Sequence, residues 1–121
     1  SISTEEILNG DNDRLSGKVA TLLSSKKLFI LTDQDGLYDK NPDQNPDAKL
    51  INNINLNKFD LKKVSFGDSG ILGRGGMKTK LKAAKDYLNE DSKVWILNGN
   101  QKDVIEKAIQ RKKLGTKIYL A

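Results

Sequence analysis

Residues 70–80, GILGRGGMKTK, hold four of the chain's ten glycines together with Arg74, Lys78, Thr79 and Lys80. A glycine turn that feeds a helix presents backbone N–H groups without helical partners, along with the positive end of the helix dipole. Phosphate oxygens settle at such places. Lysines one turn into the helix add point charges to the same anion. These residue types could therefore handle phosphate. The spacing departs from both common phosphate motifs. Gly70 and Gly75 sit as in a P-loop, but Gly76 and Met77 occupy its Lys and Ser/Thr positions. Gly73 and Gly75 open a dinucleotide fingerprint whose third glycine is replaced by Lys78. A surface loop followed by a basic, solvated helix fits the same letters, and spacing alone does not separate the two.

The rest of the inventory narrows the chemistry. The 121 residues contain no cysteine and no histidine. Disulfides, thiol nucleophiles, Cys/His zinc sites and Ser–His mechanisms are thereby excluded within the chain. Carboxylates, lysines, arginines and backbone N–H groups remain, and they suit phosphoryl transfer, where positioning and charge neutralisation do most of the work. A formal charge of +5 favours an anionic ligand. With 36% hydrophobic and 31% charged residues, one soluble globular domain is expected. No apolar run is long enough for a membrane span and no signal peptide is visible, so a cytoplasmic protein is expected.

Several elements must position these groups. Asp11, Asn12 and Asp13 precede Leu15, Val19, Leu22 and Leu23, whose helical spacing predicts a helix ending near residues 24–26. Asp11 or Asn12 can cap it; three consecutive side chains cannot all do so, and at least one is directed elsewhere. The apolar run 28–31 (LFIL) predicts a strand buried on both faces. It ends at Thr32 and Asp33, beyond the carboxyl end of a strand, where open α/β sheets gather ligands. The same pair could simply begin a turn that Asp35-Gly36 continues. Residues 34–49 form a loop with Pro42, Pro46 and several aspartates. Counted from Asp33, an EF-hand would need Gly and Glu where Tyr38 and Gln44 stand, so no calcium loop is present and no residue is assigned to a metal. Residues 50–56 read as a strand interrupted by asparagines, and 58–66 carry no clear pattern. Met77, Leu81, Ala84 and Leu88 mark a helix. A buried strand follows at 94–97, a helix at 104–109 and a last strand at 116–120 after Gly115. Alternating helices and strands predict an α/β fold with a largely parallel sheet. The basic clusters lack interleaved aromatics, so nucleic acid is not an expected partner.

Taken in order, GDND at 10–13, LTDQDGLYDKNP at 31–42, NPDAKLI at 45–51, GRGGMKTKLKAA at 73–84 and GT at 115–116 resemble the glutamate 5-kinase family of the amino acid kinase superfamily. The resemblance covers nearly the whole chain. It implies a three-layer α/β/α sandwich with a mainly parallel central sheet. It implies ATP- and Mg²⁺-dependent phosphorylation of the γ-carboxylate of L-glutamate, the first step of proline biosynthesis. By position, Asn12 would contact glutamate with Asp11 close by, and Asp13 would organise the catalytic lysines. Thr32, Asp33 and the run Arg74, Gly75, Gly76, Met77, Lys78, Thr79 and Lys80 would meet the nucleotide, with Lys80 neutralising the transferring phosphoryl group. Arg74 departs from the threonine of many relatives. The chain resembles the C-terminal, ATP-binding part of the kinase domain (1–121). The family's N-terminal half, with another catalytic lysine, a glycine-rich loop and much of the glutamate pocket, is absent, so this stretch alone is expected to be inactive. A homo-oligomer, dimer or tetramer, and feedback inhibition by proline are expected. The alternatives are a sister kinase acting on acetylglutamate, aspartate, carbamate or UMP, and a non-catalytic nucleotide- or RNA-binding module.

Overall fold

The computed structural model describes residues 2–4, 20–66, 76–110 and 113–121. Two apolar runs build its centre. Strands β3 (Lys27–Thr32) and β5 (Lys93–Asn98) lie side by side in parallel, with Ile30 opposite Ile96. Successive side chains of a strand point to opposite faces, and here both faces are covered. Ile30, Val94 and Ile96 join one core, while Phe29, Leu31, Trp95 and Leu97 join another. Helix α1 (Gly76–Tyr87) covers the first face through Met77, Leu81 and Ala84, with Leu88 just beyond its end. The short helix α2 (Val104–Ile109) covers part of the second through Val104 and Ala108. Double burial explains why these strands read as unbroken apolar runs rather than alternating ones. The result is the three-layer α/β/α arrangement expected from the sequence.

Strands β1 (Ile2–Thr4), β2 (Ala20–Ser24), β4 (Asn53–Asn55) and β6 (Thr116–Tyr119) complete a six-stranded mixed sheet in the order β1-β2-β3-β5-β6-β4. The β3–β5 and β4–β6 pairs are parallel, and the other three are antiparallel. Strict alternation of helix and strand fails at β2. Leu22 and Leu23 were expected in a helix, yet they lie in a strand that turns back into β3 through Ser25 and Lys26, both at positive φ (46° and 67°). This is the geometry of a two-residue hairpin turn, without the Asn-Gly pair that would announce it. Leu22 sits opposite Phe29 and packs against the second core. Two adjacent leucines satisfy helical spacing and a two-faced strand equally well, which is why the pattern misleads. Leu15 and Val19 lie outside the described residues.

The asparagines of 50–56 turn out to be fastenings. Asn52 Nδ2 donates to the Gly115 carbonyl at 3.0 Å. Asn55 both donates to the Ala121 carbonyl and accepts from its N–H. They tie the chain around β4 to β6 and its flanks, while Ile54 enters the core and Ile51 and Leu56 pack against it. Between β4 and α1, Leu61–Lys63 form a 3-10 turn capped by Asp60, which accepts from Lys62 N–H at 2.9 Å.

Candidate functional site

Residues 88–92 connect α1 to β5, so the helix descends along the sheet before the strand climbs it. Twelve helical residues span roughly 18 Å and six strand residues roughly 20 Å. The first turn of α1 therefore lies at the edge where β3 and β5 end. This is the edge that carries Thr32 and Asp33.

Hydrogen bonds close that edge into one rim. Thr32 is fully buried, and its carbonyl accepts from Gly99 N–H at 2.8 Å. Asn98, opposite Thr32 in the register, donates from Nδ2 to Asp35 Oδ1 at 3.1 Å and accepts from Asn100 N–H at 2.9 Å. Asp33 is half-buried, with Oδ1 shielded from solvent. Behind the rim, Thr116 is a buried junction. Its hydroxyl accepts from Leu37 N–H at 2.9 Å and donates to the Ile51 carbonyl at 2.6 Å, while Ile51 N–H returns to the Leu37 carbonyl at 2.8 Å. Gly36 makes this approach possible: at φ 151°, a Cβ there would stand 2.7 Å from the Thr116 hydroxyl. Gly115, at φ 71°, passes closer still to the Ile96 carbonyl. The long loop after β3 is thus pinned to β6. Further out, Tyr38 bridges to Ser65 and Leu50. Burial, and then the negative charge of Asp35, raise the Tyr38 phenol above its ordinary pKa.

The first turns of α1 divide their side chains among three directions. Met77 is fully buried in the core, which leaves its main chain as the part able to face a ligand. Lys78 and Thr79 are exposed, and Lys80 is half-buried. Lys78 shares a groove of about 400 Å³ with Lys82, Lys85, Val64 and Phe66. Residues two apart are turned by about 200° around a helix, so Lys80 leaves by the opposite flank, the one shared with half-buried Tyr87. Lys78 thus leaves α1 on the flank of the groove and Lys80 on the flank of Tyr87. Asp11, Asn12, Asp13, Arg74 and Gly75 lie outside the described residues, and Gly76 opens α1. Among the described residues no three carboxylates cluster as a cation site.

Sequence reasoning passed over Asn98, Gly99 and Thr116. Asn98-Gly99 ends β5 just as Thr32-Asp33 ends β3, and that equivalence was the available signal. Thr116 had none beyond its place after Gly115, because its role depends on partners 65 and 79 residues away.

Comparison with known proteins places the chain. Residues 1–98 match the amino acid kinase family. The chain belongs to that family. Over 115 residues, 95% of its length, this amino acid kinase is 43% identical to glutamate 5-kinase of Shewanella pealeana, 41% to that of Pseudomonas aeruginosa and 39% to that of Hydrogenovibrio crunogenus. It spans 31% of each of those relatives, about a third of their length. Two solved structures share its fold. The isopentenyl phosphate kinase of T. acidophilum, in a product complex, superposes with a TM-score of 0.52 at 26% identity, covering 77% of this chain and 32% of the other. An isopentenyl phosphate kinase substrate complex gives 0.53 at 30% identity, covering 77% and 33%.

Proposed function

We propose that this amino acid kinase chain is the nucleotide-binding part of an enzyme that phosphorylates the γ-carboxylate of L-glutamate with ATP, giving glutamate 5-phosphate and ADP, the first step of proline biosynthesis. The observation that carries the substrate is the 39–43% identity to glutamate 5-kinases across 95% of the chain. The rim supports the nucleotide side of the reading. A buried threonine, a half-buried aspartate and the first turn of a twelve-residue helix meet at one sheet edge. Free N–H groups at such a helix start suit phosphate oxygens.

In the transfer, a γ-carboxylate oxygen of glutamate attacks the terminal phosphorus in line. The new O–P bond forms as the bond to ADP breaks, and the electron pair leaves with ADP. Charge grows on the peripheral phosphoryl oxygens, and fixed cations and N–H donors answer it without reorganising. Lys80 is proposed for that role because it leaves α1 half-buried, on the flank away from the Lys78 groove. Asn12 and Asp11 are proposed to hold glutamate, Asp13 to orient the lysines, and Thr32, Asp33 and residues 74–79 to hold the nucleotide. Magnesium, arriving with the nucleotide, offsets phosphate charge. A homo-oligomer, cytoplasmic location and proline inhibition belong to the same proposal, as does the need for sequence beyond this chain to complete the glutamate pocket.

The isopentenyl phosphate kinase neighbours support a second acceptor at lower identity. A coupled ADP-release assay on the intact protein separates the readings. Glutamate should drive turnover at least tenfold faster than isopentenyl phosphate, aspartate, acetylglutamate, carbamate or UMP. A preference for any of those acceptors would reassign the substrate.

A further inference from the structure

Away from the carboxyl edge, the opposite end of the sheet is strongly basic. Lys27 opens β3 and Lys93 opens β5, and the two stand directly opposite each other in the parallel register. Like charges so placed repel and destabilise the pair. Lys27, Phe29 and Leu31 share one face of β3, as Lys93, Trp95 and Leu97 share that face of β5, so both ammonium groups stand beside the Trp95 row. Within that row Phe29 stacks on Trp95, with ring centroids 5.3 Å apart. Lys117 is opposite Trp95 across the β5–β6 pair, its Nζ 5.7 Å from the ring centroid. Helix α2 covers the row only in part. Its last residue, Ile109, is 46% exposed, the one large hydrophobic so exposed among the described residues.

These groups enclose a pocket of about 590 Å³. Lys27, Lys93, Lys113 and Lys117 supply its charge, and Trp95, Ile109 and Leu114 are among its apolar walls. None of the described residues lining it is acidic. The volume is that of an ordinary small-molecule site. Lys27, Lys93 and Lys113 gather around one cavity that no carboxylate of the described residues lines, and an anion inside it relieves their mutual repulsion most directly.

We propose that this pocket is a second ligand site, separate from the transfer edge, for a small phosphorylated compound with a flat or apolar body. Its phosphate meets the Lys27–Lys93 pair and Lys113; its body rests on Ile109 and Leu114. A nucleic-acid strand fits less well, because base stacking needs an open aromatic face. Trp95 is only 7% exposed and Lys117 lies over its ring.

Trp95 is the only tryptophan of the chain, so its fluorescence reports the pocket directly. The intact protein is titrated with phenyl phosphate, with inorganic phosphate and with an oligouridylate series, and the signal of its Trp95→Phe variant is subtracted as background. The proposal expects a saturable change, with phenyl phosphate at least tenfold tighter than inorganic phosphate. The double variant Lys93→Gln/Lys113→Gln should weaken both by tenfold or more, whereas Ile109→Ser should weaken phenyl phosphate alone. Thermal unfolding at low salt is an independent readout. Phenyl phosphate should raise the midpoint of the parent and not that of the double variant. No saturable change and no shift in midpoint would overturn the proposal. So would equal binding of the two phosphates, retention of binding by the double variant, or oligouridylate affinity that exceeds phenyl phosphate and grows with length.

Discussion

Lys80 and Thr116 do different work and fail in different ways. Lys80 is placed to answer charge that grows only during transfer, so its loss should appear in turnover. In the intact protein, Lys80→Ala should lower kcat by about 10²–10³-fold, as for other lost electrostatic donors, with a much smaller change in the apparent glutamate constant. Lys78→Ala, on the opposite flank of α1, should change kcat by no more than about threefold. Equal losses from the two would contradict the division of the helix into flanks. Thr116 is a matter of stability. Thr116→Val keeps the shape but leaves the buried Leu37 N–H and Ile51 carbonyl without their hydroxyl. Urea unfolding should register a loss of about 1–3 kcal/mol; an unchanged midpoint would show that the hydroxyl does not pin the loop. Burial raises the phenol pKa of both Tyr38 and Tyr87 above the ordinary tyrosine value of 10.0, and Asp35 adds to the rise at Tyr38. The unfolded chain releases these protons first as pH rises. These groups therefore contribute nothing to the pH dependence well below pH 10 and cost stability progressively above it. Tyr38→Phe/Tyr87→Phe should flatten that alkaline decline in unfolding midpoints measured across pH 9–11.

At the scale of elements, legibility followed burial. The runs LFIL and VWIL declared β3 and β5 because a strand covered on both faces is apolar at every position. The helical stripe of Met77, Leu81, Ala84 and Leu88 declared α1 for the complementary reason, since one face meets a core. Where only local chemistry decides, the letters were silent or misleading. Ser25-Lys26 makes a tight turn without glycine or asparagine, so the letters of β2 read as the end of a helix. Asparagines 52 and 55 looked like interruptions because their partners, Gly115 and Ala121, are more than 60 residues away. At the site, position along the chain was enough to put Thr32 and Asp33 at a carboxyl edge. It could not anticipate that Asn98 would reach across to Asp35, or that Met77 would give its side chain to the core.

As a whole, the molecule is a three-layer sandwich with two chemically distinct ends. The carboxyl edge holds the rim of β3 and β5 and the first turn of α1; the amino edge holds the lysine-rich pocket around Trp95. Spanning about a third of its curated relatives, the chain is proposed to provide the nucleotide side of a site whose acceptor pocket is built largely by further sequence. The product of the proposed reaction is an acyl phosphate made on glutamate. Hydroxylamine attacks such anhydrides to give a hydroxamate, so trapping reads the product itself rather than ADP release. The intact protein, given ATP and L-glutamate, should form γ-glutamyl hydroxamate in step with ADP, and Lys80→Ala should abolish nearly all of it. ADP formed with glutamate present but without hydroxamate, or hydroxamate undiminished in Lys80→Ala, would contradict the account.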